Sequence, residues 1–241
     1  MEFVSPNLPS GRVKKIFVSA IIDNEIQNSL IGLGCEPVFL KPSPNIRSQL
    51  RFHPDILTFN VLKGIWLFET GNENMFDFCT MVYTGISLDD KYPKDCMFNM
   101  VSAGATLITG KGGYFDDKLF ESFDKIIYVK QGYAKCSTIV VDENSFITGD
   151  ESIYKALKDA KFNVLQVSNE GIYLNGFSNG FIGGCAGKLD KNILAFTGNM
   201  KEYTDYKNIK DFCSNLSVEI ISLSNKPLYD YGGMLPVTQE G

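Results

Sequence analysis

The sequence predicts a mixed α/β protein: a fivefold pseudo-symmetric α/β propeller of repeated ββαβ units, closed by pairing of the N- and C-terminal strands. Three observations predict it. Apolar runs end on Thr70-Gly71, Thr109-Gly110, Thr148-Gly149 and Thr197-Gly198, spaced 39, 39 and 49 residues apart. A fifth run, Ile16-Phe17-Val18-Ser19-Ala20, lies about 50 residues before the first marker, and one fifth of the 241-residue chain is about 48. Each marker is followed by residues at helical spacing, and a Gly-rich segment near the C-terminus supplies the strand that the first unit lacks.

The elements follow in chain order. After Ala20, apolar residues at Ile26, Leu30 and Leu33 form a helical stripe that Gly34 ends as a left-handed cap. The second stripe is Met75, Phe78, Cys79 and Val82, and the third is Phe115, Leu119 and Phe123. The fourth, Ile153, Tyr154, Ala156, Leu157 and Ala160, opens on the capping residue Asp150. The fifth is Tyr206, Ile209, Phe212, Cys213 and Leu216. A short strand follows each helix: Pro37–Leu40, Val82–Leu88, Ile126–Val129, Val164–Val167 and Val218–Ile221.

Turn residues between paired apolar runs predict four hairpins. They join Ile56–Phe59 to Ile65–Phe68, Met97–Val101 to Ala105–Thr109, Ser137–Val141 to Ser145–Thr148, and Phe181–Gly187 to Asn192–Thr197. A dinucleotide-binding sheet would alternate single strands with helices, without a hairpin in every unit. Gly233–Thr238 laid beside Ile16–Ser19 closes the ring and ties down both chain ends, giving a single domain over residues 1–241.

Composition removes several function classes. Hydrophobic residues are 44% and charged residues 21%, which excludes disorder. A net charge of −5 and the absence of a basic block argue against a nucleic-acid partner. With no 18-residue apolar window and no leader-like N-terminus, neither a membrane partner nor secretion is expected, and the expected location is cytoplasmic. The six cysteines, at 35, 79, 96, 136, 185 and 213, form no C-x-x-C pair and read as buried free thiols. A single histidine, His53, leaves no multi-histidine metal site, and no metal or cofactor is expected. Gly180–Lys188 lacks P-loop spacing and reads as strand glycines that allow close backbone approach.

The closing segment, Tyr231-Gly232-Gly233-Met234-Leu235-Pro236-Val237-Thr238-Gln239, carries a resemblance. With the fivefold repeat it resembles the pentein fold of the guanidino-group modifying enzymes. Over these residues it is similar to the C-terminal segment of agmatine deiminases, where glycines lead to His-Cys, one apolar residue and Thr-Gln. The resemblance implies a thiolate attacking a guanidinium carbon, a histidine as acid and base, and carboxylates holding the cation. The nucleophile position is occupied here by Pro236, the histidine position by Tyr133 and its acidic partner by Lys135, while Asp95 stands in for the family's glutamate.

All hairpins of such a ring begin near its axis. His53, Asp55, Asp95, Tyr133, Lys135, Asn179, Asp230 and Tyr231 would then converge on a central channel, with Arg51 beside His53. His53 and Asp55 are the candidate catalytic groups; a partly exposed His53 bonded to Asp55 is the plainer alternative. Arg51, Asp95, Tyr133, Lys135, Cys136, Asn179, Asp230 and Tyr231 are the candidate ligand-binding residues. Cys136, next to Lys135, is the candidate relocated nucleophile, against a plain core thiol. Three functions remain open: a catalytically degenerate binder of a small guanidino- or amino-bearing ligand; an active hydrolase or transferase on a guanidine- or amide-type substrate using His53, Asp55 and Cys136; and a structural or assembly module. The expected partner is a small molecule, with a homo-oligomer left open.

Overall fold

The computed structural model describes residues 1–72, 80–83, 85–114 and 116–241. It shows small sheets and few helices, and the sheets share one plan. In the first, β2 (Val13–Val18) runs parallel to β3 (Glu36–Phe39), with α1 (Asn24–Gly32) between them. The second holds β4 (Thr58–Leu62), β5 (Ile65–Phe68) and β6 (Thr80–Tyr83), and the third β7 (Val101–Ala103), β8 (Thr106–Gly110) and β9 (Lys125–Val129). The fourth holds β10 (Thr138–Asp142), β11 (Ser145–Thr148) and β12 (Asn163–Gln166), and the fifth β13 (Ala186–Asp190), β14 (Ile193–Phe196) and β15 (Glu219–Ser222). In each of these four the first two strands pair antiparallel and the last two parallel.

The C-terminal strand β16 (Leu235–Gln239) completes the first sheet, lying antiparallel to β2 with Leu235 opposite Phe17. On its other side it pairs with β1 (Glu2–Phe3), a strand the sequence reading did not foresee. Three hairpins carry a register shift at the same place, just before the turn: Asn60/Leu62, Val140/Asp142 and Lys188/Asp190. Such bulges sharpen the strand's twist.

Local chemistry explains the helices. In α4 (Glu151–Asp159) the Asp150 carboxylate accepts from Ile153 N–H at 2.9 Å, and Ile153 and Leu157 are buried. An N-cap of this kind is worth about 1 kcal/mol, so Asp150→Ala should lower unfolding free energy by about that amount in urea titrations. An unchanged midpoint would show that the Asp150 carboxylate does not cap the helix. In α5 (Tyr206–Asn215) Ile209 and Cys213 are buried. Phe17 packs edge-to-face on both Trp66 and Phe68, with centroids 5.1 Å (Phe17–Trp66) and 5.8 Å (Phe17–Phe68) apart, in a core shared by the first two sheets.

Several expectations are corrected where the hairpins open. Ile56 and Leu57 belong not to a strand but to a single turn, α2 (Pro54–Leu57), with Pro54 at its first position. Residues Met97–Met100 lie outside β7. Ile182–Cys185 form a 3-10 turn rather than the strand expected from Phe181. The third helix is also a single turn, α3 (Asp117–Phe120). Of its predicted stripe, Phe123 is buried, and Phe115 lies outside the described residues. Met75, Phe78 and Cys79 of the second stripe likewise lie outside them, and the strand expected from Val82 begins at Thr80. These mouths bend because their residues serve contacts between units instead of a ladder.

Those contacts pass from mouth to mouth. Asp55 N–H donates to Gly232 O at 3.2 Å, Tyr231 N–H to Gly184 O at 3.0 Å, and Gly184 N–H to Cys136 O at 3.0 Å. Lys135 N–H donates to Asn99 Oδ1 at 2.7 Å, and Asn99 Nδ2 donates to Asp55 O at 3.0 Å, returning to the first mouth.

Candidate functional site

A pocket of about 360 Å³ opens among these mouths. His53, Cys136 and Asp230 bring its titratable groups, Tyr133, Phe177 and Phe181 its aromatic surface, and Asn169 and Asn179 its amides. The Tyr133 and Phe181 rings stack with centroids 6.3 Å apart. This mix of apolar wall and few polar groups suits a small ligand.

His53 opens α2, and the following Pro54 holds it extended (φ −74°, ψ 114°). It is 1% exposed, so the partly exposed alternative is corrected. Its Nδ1 has no hydrogen-bond partner, and the nearest carboxylate is Asp230 Oδ1 at 3.8 Å rather than Asp55. Asp230 is fixed by two backbone donors, Phe181 N–H at 2.8 Å and Gly232 N–H at 3.0 Å. Burial pushes its carboxyl above the usual range, and His53 opposes that shift. Gly232, at φ +80°, leaves no room for a side chain: a Cβ there would lie 2.4 Å from His53 Cβ.

The Cys136 thiol donates to Asp55 Oδ2 at 2.8 Å and accepts from Asn99 Nδ2 at 3.1 Å. Burial first, then the Asp55 and Asp230 charges, push this thiol well above its ordinary pKa. Lys135, also buried, is pushed down by desolvation and held up by Asp55, Cys136 and Asp230. The resting site is therefore a protonated thiol ringed by two carboxylates, one lysine and one imidazole. A cation entering the pocket would favour the thiolate.

Donor atoms of His53, Asp55 and Cys136 lie within 4.8 Å of one another, a spacing a metal ion could use. Cys136 and Asp55 are hydrogen-bonded to each other, however, and the Lys135 side chain is buried beside them. Within this set only the thiol and the Asp55 carboxylate share a hydrogen bond; His53 Nδ1 has no partner.

The structure thus brings His53, Tyr133, Cys136, Asn179 and Asp230 to one pocket, with Asp55 and Lys135 behind them. Asp95 is buried outside it and accepts the Tyr133 hydroxyl. Arg51 does not line the pocket; it donates Nε and Nη2 to Ile46 O at 3.2 and 3.1 Å. Tyr231 turns to a separate cleft, packed on Tyr229 at 4.6 Å. Pro236, the position matched to the family's nucleophile, lines a different, smaller cavity. Sequence reasoning missed Asn99, whose fully buried amide joins Asp55, Lys135 and Cys136. Its one signal was an amide set between Phe98 and Met100, in an otherwise apolar stretch.

Solved structures share this arrangement of elements. The chain is similar to SxtG, an amidinotransferase from Microseira wollei in the saxitoxin biosynthetic pathway (TM-score 0.57, 11% identity, covering 100% of this chain and 98% of that one). It is similar to the agmatine deiminase of C. jejuni (TM-score 0.57, 13% identity, 99% and 97% covered). It is also similar to the inosamine-phosphate amidinotransferase of Streptomyces griseus (TM-score 0.60, 7% identity, 100% and 98% covered). At these identities the likeness is one of fold alone, the pentein fold. No curated protein matches the sequence. The chain belongs to the family of unknown function DUF6873, whose sequence model matches residues 17–235. Among the described residues, no helix is long and apolar enough to cross a membrane.

Proposed function

We propose that this chain is a pentein-type hydrolase or transferase with relocated groups, acting on a small guanidino- or amino-bearing molecule bound in the pocket of His53, Cys136 and Asp230. The observation that carries it is the meeting of a thiol, an imidazole and a buried carboxylate, from three hairpin mouths, in one cavity of ligand size. The five sheets are read as blades of an α/β propeller around this site. The return of the mouth-to-mouth hydrogen bonds to Asp55 and the pairing of β16 with β2 support that reading.

In this reading Asp230 holds the cation and Tyr133 and Phe181 flank its planar group. Asp55 Oδ2 takes the Cys136 S–H proton, and the sulfur pair forms a bond to the guanidinium carbon as the C–N π pair moves to nitrogen. The C–N bond to the departing amine then breaks, and His53 gives that amine a proton. Water or an acceptor amine attacks the carbon next and gives a proton back to His53, the C–S bond breaks, and its electron pair returns to Cys136, which is reprotonated from Asp55.

The test has two arms. Guanidines and amines should raise the melting temperature of the protein and protect Cys136 from alkylation. Cys136→Ala should abolish turnover while keeping the thermal shift. A shift without turnover in the wild type would make the pocket a binder without chemistry, the degenerate relative. If no guanidine or amine shifts the protein or protects Cys136, the reading falls and the structural-module alternative takes its place.

A further inference from the structure

Behind the pocket lies a second cavity, with room for about 10 Å³ of water centres, which is one water molecule. Asp55, Asn60, Trp66 and Lys135 line it, and Asn7 is its only lining residue that is not buried. Four polar atoms of these residues have no protein partner: Asp55 Oδ1, both amide atoms of Asn60, and Trp66 Nε1. Unpaired buried polar atoms are rare in folded proteins because water would have bonded each of them. Here the four belong to residues that share one small chamber.

The donor and acceptor pattern identifies the occupant. Trp66 Nε1 and Asn60 Nδ2 donate, whereas Asn60 Oδ1 and Asp55 Oδ1 accept. The Asp55 carboxylate opposes an anion, and the Trp66 N–H, which can only donate, opposes a metal ion. A group that both donates and accepts, at this volume, is water.

Asp55 joins the chamber to the pocket. Its Oδ2 receives the Cys136 thiol at 2.8 Å, while its Oδ1 has no protein partner. Cys136 lines the pocket and not the chamber; Asp55 lines the chamber and not the pocket. We propose that the chamber holds an ordered water, bound by Asn60, Trp66 and Asp55, and that Asp55 passes the Cys136 thiol proton to it. The S–H bond breaks with its electron pair left on sulfur, and an O–H bond forms on Asp55. A half rotation of the carboxyl group carries that proton to the chamber side. The water accepts it and releases one of its own protons to bulk solvent past Asn7. The charged and titratable groups facing Asp55 and Cys136 are His53, Lys135, Asp230 and Tyr133. Asp55 and the chamber residues are thus positioning and relay groups for the nucleophile, and the inference rests on the function proposed above.

The experiment measures exchange of the Cys136 S–H for S–D after transfer of ligand-free protein into D2O. The infrared difference between wild type and Cys136→Ala isolates this thiol from the others. Asn60→Leu and Trp66→Phe should each slow the exchange at least tenfold, with the fold and the ligand-induced thermal shift retained. A high-resolution crystal structure of the wild type should show water density in hydrogen-bonding range of Trp66 Nε1 and Asp55 Oδ1. A dry chamber, or exchange as fast in both variants as in the wild type, overturns the inference. If either variant fails to fold, the wild-type density still decides. No ligand is used in the exchange arm, so failure of the proposed function leaves this result readable on its own.

Discussion

Gly184→Ala should be among the most damaging single substitutions in this protein. A Cβ at this position would lie 1.8 Å from Asp230 Oδ1 and 2.3 Å from its Cγ. The carboxylate has nowhere to retreat, because Phe181 and Gly232 N–H groups hold it and the surroundings are buried. Gly184 is also a junction of three hairpin mouths. Its N–H reaches Cys136 O, and its carbonyl accepts from Tyr231 N–H at 3.0 Å and Gly233 N–H at 2.9 Å. Overpacking a rigid site of this kind costs about 3 kcal/mol or more. Urea titration should show that loss, and a variant that still folds should lose ligand binding because Asp230 is displaced. Gly32→Ala is the control. It sits at the end of α1, where an added Cβ would meet nothing within 4 Å, and should stabilise by roughly 0.5–1 kcal/mol. Equal behaviour of the two variants would mean that Asp230 is not seated against Gly184.

Asp230→Asn should weaken binding of a guanidinium or ammonium ligand by at least about 30-fold, the effect of removing one partner of a buried charge pair. The amide keeps the shape but only one acceptor, so one of the two backbone donors, which reach different oxygens, is left unpaired and the folded protein should lose about 1–3 kcal/mol. Isothermal titration of both proteins measures the ratio, and equal affinities would remove Asp230 from the ligand's contacts. The pH dependence fixes the sign. Burial raises the Asp230 pKa, so its contribution to stability is complete below the ordinary carboxylate pKa and is lost as pH rises through the folded value. A cation needs the ionised form, so affinity should run the opposite way, growing as pH rises through that same value. In the Asn variant both dependences should flatten.

Much of the fold was legible because its punctuation has local physical causes. The Thr-Gly markers recur where a strand end meets the loop of another segment. Thr148 Oγ1 donates to Ser137 O and Thr197 Oγ1 to Tyr229 O, each at 2.8 Å. Two of the glycines that follow lie where another segment crosses: a Cβ at Gly110 would lie 2.6 Å from Gln131 O and one at Gly198 2.5 Å from Pro227 O. Asp150 could be read as a cap, and Gly34, at φ +77°, as a helix stop, because both act within a few residues of their own position. The candidate site was legible in part. Its residues were placed by their position at hairpin mouths, which gathered His53, Tyr133, Cys136, Asn179 and Asp230 but also named Arg51 and Tyr231, whose side chains turn elsewhere.

The sequence by itself determined the repeated unit and the strand pairing across the chain ends, since each depends on neighbours along the chain or on a simple register. The tertiary structure decided the chemistry. Cys136 meets Asp55, 81 residues away, and Asn99 clamps both, while His53 faces Asp230. No local pattern encodes these meetings. They follow from how irregular mouths of different units fold over one another, where glycines at 184 and 232 allow approaches that a side chain would forbid.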